Sequence, residues 1–546
     1  MVPLQHGTTL SQQFAQCVVD ARRSKHMPSK SQDHLHRLVR SMTGAEKRNF
    51  KLFTRRVAPD GETNQHLLFD AISSMDAYDE EALLRRFRHE AFTNHFPITK
   101  RRLYETVLKS LASFHADSSV DVRLHRLLQQ VEILHQRALY DDAWKVLQSV
   151  RKSAEKHERH PALLAVTEWE RRLIECRNYS GMDARELDVR SDRDKSLQES
   201  IAQVSALWSL KSKLLMELYQ HGQARDKEGL AAIDHLLEHT ALQVPNDLLS
   251  ARAQFLYHHV HGAAAFGMGD TAKCHQHLSQ NLSLLNGKRD RFQHEPNLVL
   301  GVMSNLIYVC IQRGHYEEAF AHLREFRVLP ALWKMPESED LDLKLFSTSM
   351  SLELSMHLRT GNVAEALELV HVVERGLARH AGLISPVRAA GFNYQLAYTL
   401  FMAGRPDKAL ARIHTLLNQA RVDNSSEAVC FGRLLQLLLL LETGKTDVLR
   451  FTLRNTERFL RLRARKQRFE PLFLQLVRAL SRKGNAEEQH ALITAFRDRM
   501  LELEYHPFER TVFDHLDPIA WAESKLTGEP YATRIKRRLQ AVERAA

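Results

Sequence analysis

Apolar residues along most of this chain return every third or fourth position, the spacing that lines one face of an α-helix. From residue 121 onward, Val122, Leu124, Leu127, Leu128, Val131 and Leu134 keep that rhythm. The stretch Ala138-Leu-Tyr-Asp-Asp-Ala-Trp144 then reverses the chain, and Val146, Leu147 and Val150 resume it, which predicts a helical hairpin. Longer helices are predicted over 161–176 and 191–219, with a polar connection over 178–188. Farther on, Gly222, Gly269, Gly314, Gly361, Gly404, Gly444 and Gly484 recur at steps of 47, 45, 47, 43, 40 and 40 residues. Each of the clearer glycines stands between two amphipathic stretches, where a residue free to take positive φ ends one helix and starts the reversal. A period of this size marks stacked helical repeats.

Ahead of the repeats, residues 34–118 read as a small helical module. Leu38, Val39, Phe50, Leu52 and Phe53 surround Thr43-Gly-Ala-Glu46, which has the form of a capping box. A loop at Pro59-Asp60-Gly61 follows, then helices over 67–75, 80–92 and 100–114. The module is expected to cap the first repeat, with a nucleic-acid-reading module as the alternative. Residues 1–33 lack this patterning and read as an extension, which leaves Met1 or Met27 as the start.

Composition agrees with helices throughout. The 21 glycines and 15 prolines among 546 residues fall below the usual shares of about 7% and 5%. The longest apolar run, residues 434–441, is interrupted by Gln436 and is far shorter than a membrane span. Five scattered cysteines, Cys17, Cys176, Cys274, Cys310 and Cys430, form no Cys-x-x-Cys pair, so neither a disulfide framework nor a zinc knuckle is indicated and a reducing cytoplasm fits. The net charge of +11 favours acidic partners.

Three segments resemble the inter-helix turn of tetratricopeptide repeats: Arg313-Gly-His-Tyr-Glu-Glu-Ala-Phe320, Thr360-Gly-Asn-Val-Ala-Glu-Ala-Leu367 and Ala403-Gly-Arg-Pro-Asp-Lys-Ala-Leu410. The glycine permits the reversal, and the alanine five residues on lets two helices approach closely. Gly269 leads at that distance to Cys274, whereas Gly222, Gly444 and Gly484 lead to Lys227, Leu449 and Gln489. The repeats are therefore tetratricopeptide-like, with longer helices. In addition, Thr43-Gly-Ala-Glu-Lys-Arg-Asn-Phe-Lys-Leu-Phe53, Tyr78-Asp-Glu-Glu-Ala-Leu83 and Asp517-Pro-Ile-Ala-Trp-Ala-Glu-Ser-Lys525 resemble a group of uncharacterised bacterial proteins with such repeats. That resemblance implies a fold and a bacterial cytoplasmic setting, and no activity.

The most pointed chemical feature is a row of arginines. With residues 448–469 taken as one helix, Arg450, Arg454, Arg458, Arg461, Arg465 and Arg468 fall within an arc of about 80°. Glu457 is the one acid within that segment. Guanidinium forks match carboxylates and phosphates alike, so the row reads as a solvated or internally paired face, a site for an acidic protein segment, or a nucleic-acid contact. Phe451, Phe459 and Phe469 are expected on the apolar side, away from a ligand. Nucleic-acid binding would add Lys100, Arg101 and Arg102.

His258, His261, Cys274 and His277 are spaced so that folding at 267–269 would bring His261 near His277, a conceivable metal set that chance among 30 histidines also produces. No metal site is assigned from it. Gly444-Lys445-Thr446 lacks the leading glycine of a phosphate loop, Gly267-Met-Gly-Asp-Thr-Ala272 lacks a preceding strand, and His157-Glu-Arg-His160 lacks the i, i+4 histidine pair of a zinc protease. No catalytic residues and no cofactor are indicated.

The expected architecture is an all-α, right-handed α-solenoid of tetratricopeptide-like hairpins over 119–504, with helical caps at 34–118 and 505–546. The expected function is that of a non-enzymatic scaffold or adaptor holding a protein partner on the concave face, with a nucleic-acid-binding regulator as the alternative. No membrane association is expected.

Overall fold

The computed structural model describes residues 33–545 apart from 58–63, 118, 222, 225–226, 246–247, 294, 336, 419–426, 463–467, 483–484, 505 and 507–508. The 1–32 segment, the Pro59-Asp60-Gly61 loop, Gly222, Gly484 and Arg465 lie outside the described residues. Among those described the chain is all α, with 25 α-helices, a few 3-10 turns and no strand. None of these helices is long and apolar enough to cross a membrane. Two compact units divide the chain between Glu199 and Ser200.

The first unit opens with α1 (His34–Ser41), α2 (Gly44–Val57), α3 (Asn64–Ser73), α4 (Glu80–Arg86) and α5 (Phe96–Phe114). Together they bury Leu35, Val39, Phe50, Phe69, Ile72, Leu103 and Val107 in one core. The capping box forms: the Glu46 carboxylate accepts the Thr43 N–H at 2.6 Å, and the Thr43 hydroxyl accepts the Glu46 N–H at 3.3 Å. The helix expected over 80–92 ends instead at Arg86. A 3-10 turn, Ala91–His95, leads into α5, whose Pro97 occupies the first turn and moves its start ahead of residue 100.

Three antiparallel helices follow: α6 (Val120–Gln136), α7 (Tyr140–Lys156) and α8 (His160–Cys176). Ala138 takes the glycine's role at the first turn with φ +58°. Leu124, Val131, Leu147, Val150, Val166 and Leu173 form the core. Helix α9 (Ala184–His221) starts seven residues before the expected 191, because Asp183 caps it by accepting the Glu186 N–H at 2.7 Å. The division between the units falls inside this helix.

In the second unit, α10 (Lys227–Leu237) precedes six hairpins. They are α11 (Ala251–Gly267) with α12 (Thr271–Gly287), then, after the single turn α13 (Arg289–Phe292), α14 (Pro296–Gln312) with α15 (Tyr316–Leu332), and α16 (Glu339–Thr360) with α17 (Val363–Arg379). The series continues with α18 (Pro386–Met402) and α19 (Pro406–Leu417), α20 (Glu427–Glu442) and α21 (Thr446–Arg461), and α22 (Phe469–Leu480) and α23 (Ala486–Glu504). Gly269, Gly314, Gly361, Gly404 and Gly444 all turn with positive φ, between +66° and +79°. Ala319, Ala366 and Ala409, five residues after their glycines, are fully buried where the paired helices meet.

These hairpins stack as an α-solenoid in two layers. From α14 on, each first helix packs against the next first helix, α14 on α16, α16 on α18, α18 on α20 and α20 on α22. Among the described residues the second helices make no pairing of that extent with one another. Each packs against its own first helix and the following one.

The C-terminal segment does not simply close the end of the stack. With α24 (Pro518–Thr527) and α25 (Tyr531–Ala545), it folds back onto the first-helix layer. Arg359 of α16 donates to Asp514 at 2.7 Å, Tyr394 of α18 donates to the His515 carbonyl at 2.8 Å, and the Tyr398 and Tyr531 hydroxyls share a hydrogen bond of 2.6 Å. On α20, Phe431 stacks on His515 and Glu442 accepts from both Trp521 and Lys525. At Gly361 the backbones nearly touch: a Cβ there would lie 2.7 Å from the Ala532 carbonyl.

Candidate functional site

The arginine row lies on α21, a second helix, and so in the layer opposite the C-terminal segment. Leu449, Leu453, Thr456 and Leu460 are its buried face. Arg450, Arg454, Arg458 and Arg461 are exposed, and among the described residues none of the four has an acidic partner. Glu457 is turned away from them, holding Arg478 of α22 by two hydrogen bonds of 2.8 and 2.7 Å.

The six expected positions do not share one helix. Helix α21 ends at Arg461 with Leu462 as its cap, and Arg468 stands at the N-cap of α22, where its backbone N–H donates to Glu509 at 2.7 Å. Arg465 is outside the described residues. Four arginines, rising 1.5 Å per residue over eleven residues, therefore make a row of about 16 Å.

The aromatic expectation is corrected as well. Phe469 is buried and Phe459 is half-buried beneath the Arg433 guanidinium, 4.2 Å from its ring, but Phe451 is 60% exposed. It stands one turn before Arg454 at the edge of the arginine row, with Val448 at 53% and Leu462 at 68% exposure continuing an apolar strip along the cationic one. Sequence pattern alone misplaced Phe451 because α21 buries a narrow face, which Leu449, Leu453, Thr456 and Leu460 already fill.

Lys100, Arg101 and Arg102, which the nucleic-acid-binding alternative would add, differ in their surroundings. Lys100 bridges Asp33 at 2.6 Å and Glu80 at 2.7 Å and accepts little solvent; Arg101 pairs with Glu105. Burial acts to lower the Lys100 pKa, but the hydrogen bonds it donates to Asp33, Glu80 and Tyr78 outweigh that and hold the ammonium charged. Of the three, Arg102 alone stands exposed among the described residues without such a partner.

The histidines do assemble, in two places. His261 and His277 stack with ring centroids 5.0 Å apart, as their spacing suggests, and Nδ1 of His258 lies 3.2 Å from Nδ1 of His277. Burial, followed by the His261 charge for His258 and by the charges of His261, His258 and Lys273 for His277, pushes both down to about 4. The buried Cys274 does not join them: among the described residues, three histidine, cysteine or acidic ligand atoms come together only at His275, Cys310 and Glu318.

That second cluster joins α12, α14 and α15, with all ligand atoms within 4.8 Å of one another. His275 Nε2 lies 2.9 Å from Glu318 Oε1, and His315 and His322 approach the same carboxylate at 3.3 and 3.7 Å. Cys310 is fully buried; burial, then the Glu318 charge, pushes its thiol up to about 12. Burial acts to raise the Glu318 carboxyl, but hydrogen bonds and charge from the histidines outweigh it and keep it below its ordinary value. The sequence did carry a signal for this cluster. His275 and Glu318 stand just after Gly269 and Gly314, at the starts of second helices in successive hairpins.

Comparison with known proteins adds little to this geometry. No family model matches the chain, and no curated protein matches it. Among solved structures it is similar to the apo form of the quorum sensor NprR from B. thuringiensis, at 12% sequence identity and a TM-score of 0.44, over 71% of this chain and 99% of that one.

Proposed function

We propose that the protein is a non-enzymatic scaffold that holds an acidic protein segment against the outward face of α21. The observation that carries this reading is the exposed row Arg450, Arg454, Arg458 and Arg461 beside the exposed Phe451 and Leu462. Guanidinium groups four residues apart on a helix repel by about 0.2–0.5 kcal/mol per pair, a cost that an anionic partner removes. About five residues of extended chain span a row of about 16 Å, so a short acidic stretch with one apolar side chain for Phe451 matches it. A solenoid ordinarily binds partners in the groove along one helix layer, but here the first-helix layer from α16 to α20 holds the chain's own C-terminal segment.

The test is a peptide array graded in acidic and aromatic content, probed with wild-type protein and with the triple variant Arg454→Glu, Arg458→Glu, Arg461→Glu. We expect the wild type to select acidic peptides with an aromatic or aliphatic residue, and the variant to lose them at unchanged helical circular dichroism. Equal binding by both proteins sinks the proposal.

A second reading, a nucleic-acid regulator, is favoured by Phe451, whose exposed ring among arginines suits base stacking. Titration against generic single-stranded RNA separates the two. Backbone binding weakens steeply with added salt, and absence of affinity at low salt dismisses this reading.

A further inference from the structure

We propose that His275, Cys310 and Glu318 form a binding site for a zinc-class divalent transition metal, which clamps the α11–α12 hairpin to the α14–α15 hairpin. The three come from three helices, and their ligand atoms already lie within 4.8 Å of one another. A tetrahedral ion with bonds of 2.0–2.3 Å needs its ligands about 3.5 Å apart, so on binding the His275–Glu318 contact of 2.9 Å opens slightly and the wider separations, up to 4.8 Å, close.

The ligand chemistry selects the metal. One thiolate, one imidazole and one carboxylate are the mixed soft and borderline set that zinc accepts, whereas calcium and magnesium prefer oxygen alone. Binding displaces the Cys310 thiol proton to solvent, and the resulting thiolate and the Glu318 carboxylate balance the two positive charges, so the filled site is neutral within its half-buried surroundings. The fourth position falls to His322 or to water. His322 follows Glu318 by one helical turn on α15, and its Nε2 is 3.7 Å from the same carboxylate oxygen. His315 at the start of α15, with Nδ1 3.3 Å from the other oxygen, orients the carboxylate from outside. Glu318 is 38% and His315 46% exposed at the side chain, which leaves a path for the ion from solvent.

The site is independent of the arginine face and of any partner. It acts on the stack itself, because His275 belongs to one hairpin and the other ligands to the next, so a bound ion adds a tie between two repeats already joined by packing, by the Arg252–Glu295 ion pair and by the His275–Glu318 hydrogen bond.

The experiment uses the full chain, stripped with chelator and titrated with Co2+ and with Zn2+ against a competing chelator. We expect one ion per chain, sulfur-to-cobalt charge-transfer absorption with tetrahedral visible bands, and a rise in Tm with Zn2+. Cys310→Ser should abolish the charge-transfer band, and His275→Ala and Glu318→Gln should each weaken zinc binding by about tenfold to a hundredfold. Cys310 is buried, so the two more exposed variants keep the test valid if Cys310→Ser fails to fold. The control His258→Ala/His277→Ala should bind as wild type does. The proposal is overturned if the wild type takes up no stoichiometric ion, if Cys310→Ser keeps the cobalt spectrum, if His275→Ala and Glu318→Gln bind zinc like wild type, or if the His258/His277 control loses binding equally.

Discussion

Two glycines with nearly the same backbone show how far a turn residue's role depends on its surroundings. Gly361 has φ +70° and Gly404 φ +68°, a region that costs an L side chain about 1 kcal/mol. Around Gly404 a methyl group would meet nothing within 4 Å, whereas at Gly361 it would press on the Ala532 carbonyl at 2.7 Å and on Lys536. We therefore expect Gly404→Ala to lower stability by about 1 kcal/mol and Gly361→Ala by about 2–3 kcal/mol, measured by urea denaturation. Equal losses would show that the C-terminal segment does not press on Gly361. A buried ion pair gives a second test at this scale. Glu170 of α8 accepts from Arg151 of α7 at 2.9 Å and from Arg190 of α9 at 3.0 Å, and Arg151 and Glu170 are both buried. Glu170→Ala leaves the Arg151 charge in place without its main partner, and a loss of about 3–5 kcal/mol is expected. The periodic glycines were legible in sequence because their conformational freedom is intrinsic. Contacts such as Gly361 with Ala532 were not, because they join positions 171 residues apart.

Among elements, the α11–α12 hairpin links protonation to stability through three histidines. His258, His259 and His277 are held at about 4 against an ordinary 6.5. Burial leads in each case, helped by His261 for His258, by Lys211 and Arg252 for His259, and by His261, His258 and Lys273 for His277. The unfolded chain thus takes up protons below 6.5 that the folded chain refuses until about 4. Stability is fully present above 6.5 and is lost as pH falls through that window, at about 1.4 kcal/mol per pH unit for each proton. Urea midpoints measured from pH 7 to 4 should fall accordingly, and His258→Asn/His277→Asn should flatten the curve; a flat wild-type profile would remove the linkage. Hairpins of this kind read well from sequence because their core faces repeat every turn of helix. The arginine helix read less well. Its four outward arginines follow from spacing, but its end at Arg461 and the outward turn of Phe451 depend on how narrow a face its neighbours leave to be buried. The His275, Cys310 and Glu318 cluster read less well still: the glycine register places His275 and Glu318 at matching turns, but only the stacking of successive hairpins brings Cys310 to them.

At the scale of the second unit, the C-terminal segment is an intramolecular occupant of the surface by which a solenoid ordinarily binds. Val512, Leu516, Ile519, Trp521 and Tyr531 are buried in the same core as Tyr394, Tyr398, Phe401 and Phe431 of the first helices. Each fully buried apolar side chain contributes about 1.5–3 kcal/mol, so the segment belongs to the fold rather than to a loosely attached tail. Ion pairs at its edges, Arg359 with Asp514 and Lys525 with Glu442, fix its register on the layer. Deleting residues 505–546 should then uncover a contiguous aromatic patch on α18 and α20, raise the fluorescence of a hydrophobic dye, and lower Tm by roughly 5–10 °C. A synthetic 506–546 peptide supplied in trans should reverse both changes if the layer keeps its shape, and an intact Tm with no dye binding would show that the segment contributes nothing to the stack. The same deletion leaves α21 and its arginines on the opposite layer. Acidic-peptide binding should therefore survive truncation, and its loss would place the partner on the first-helix layer instead.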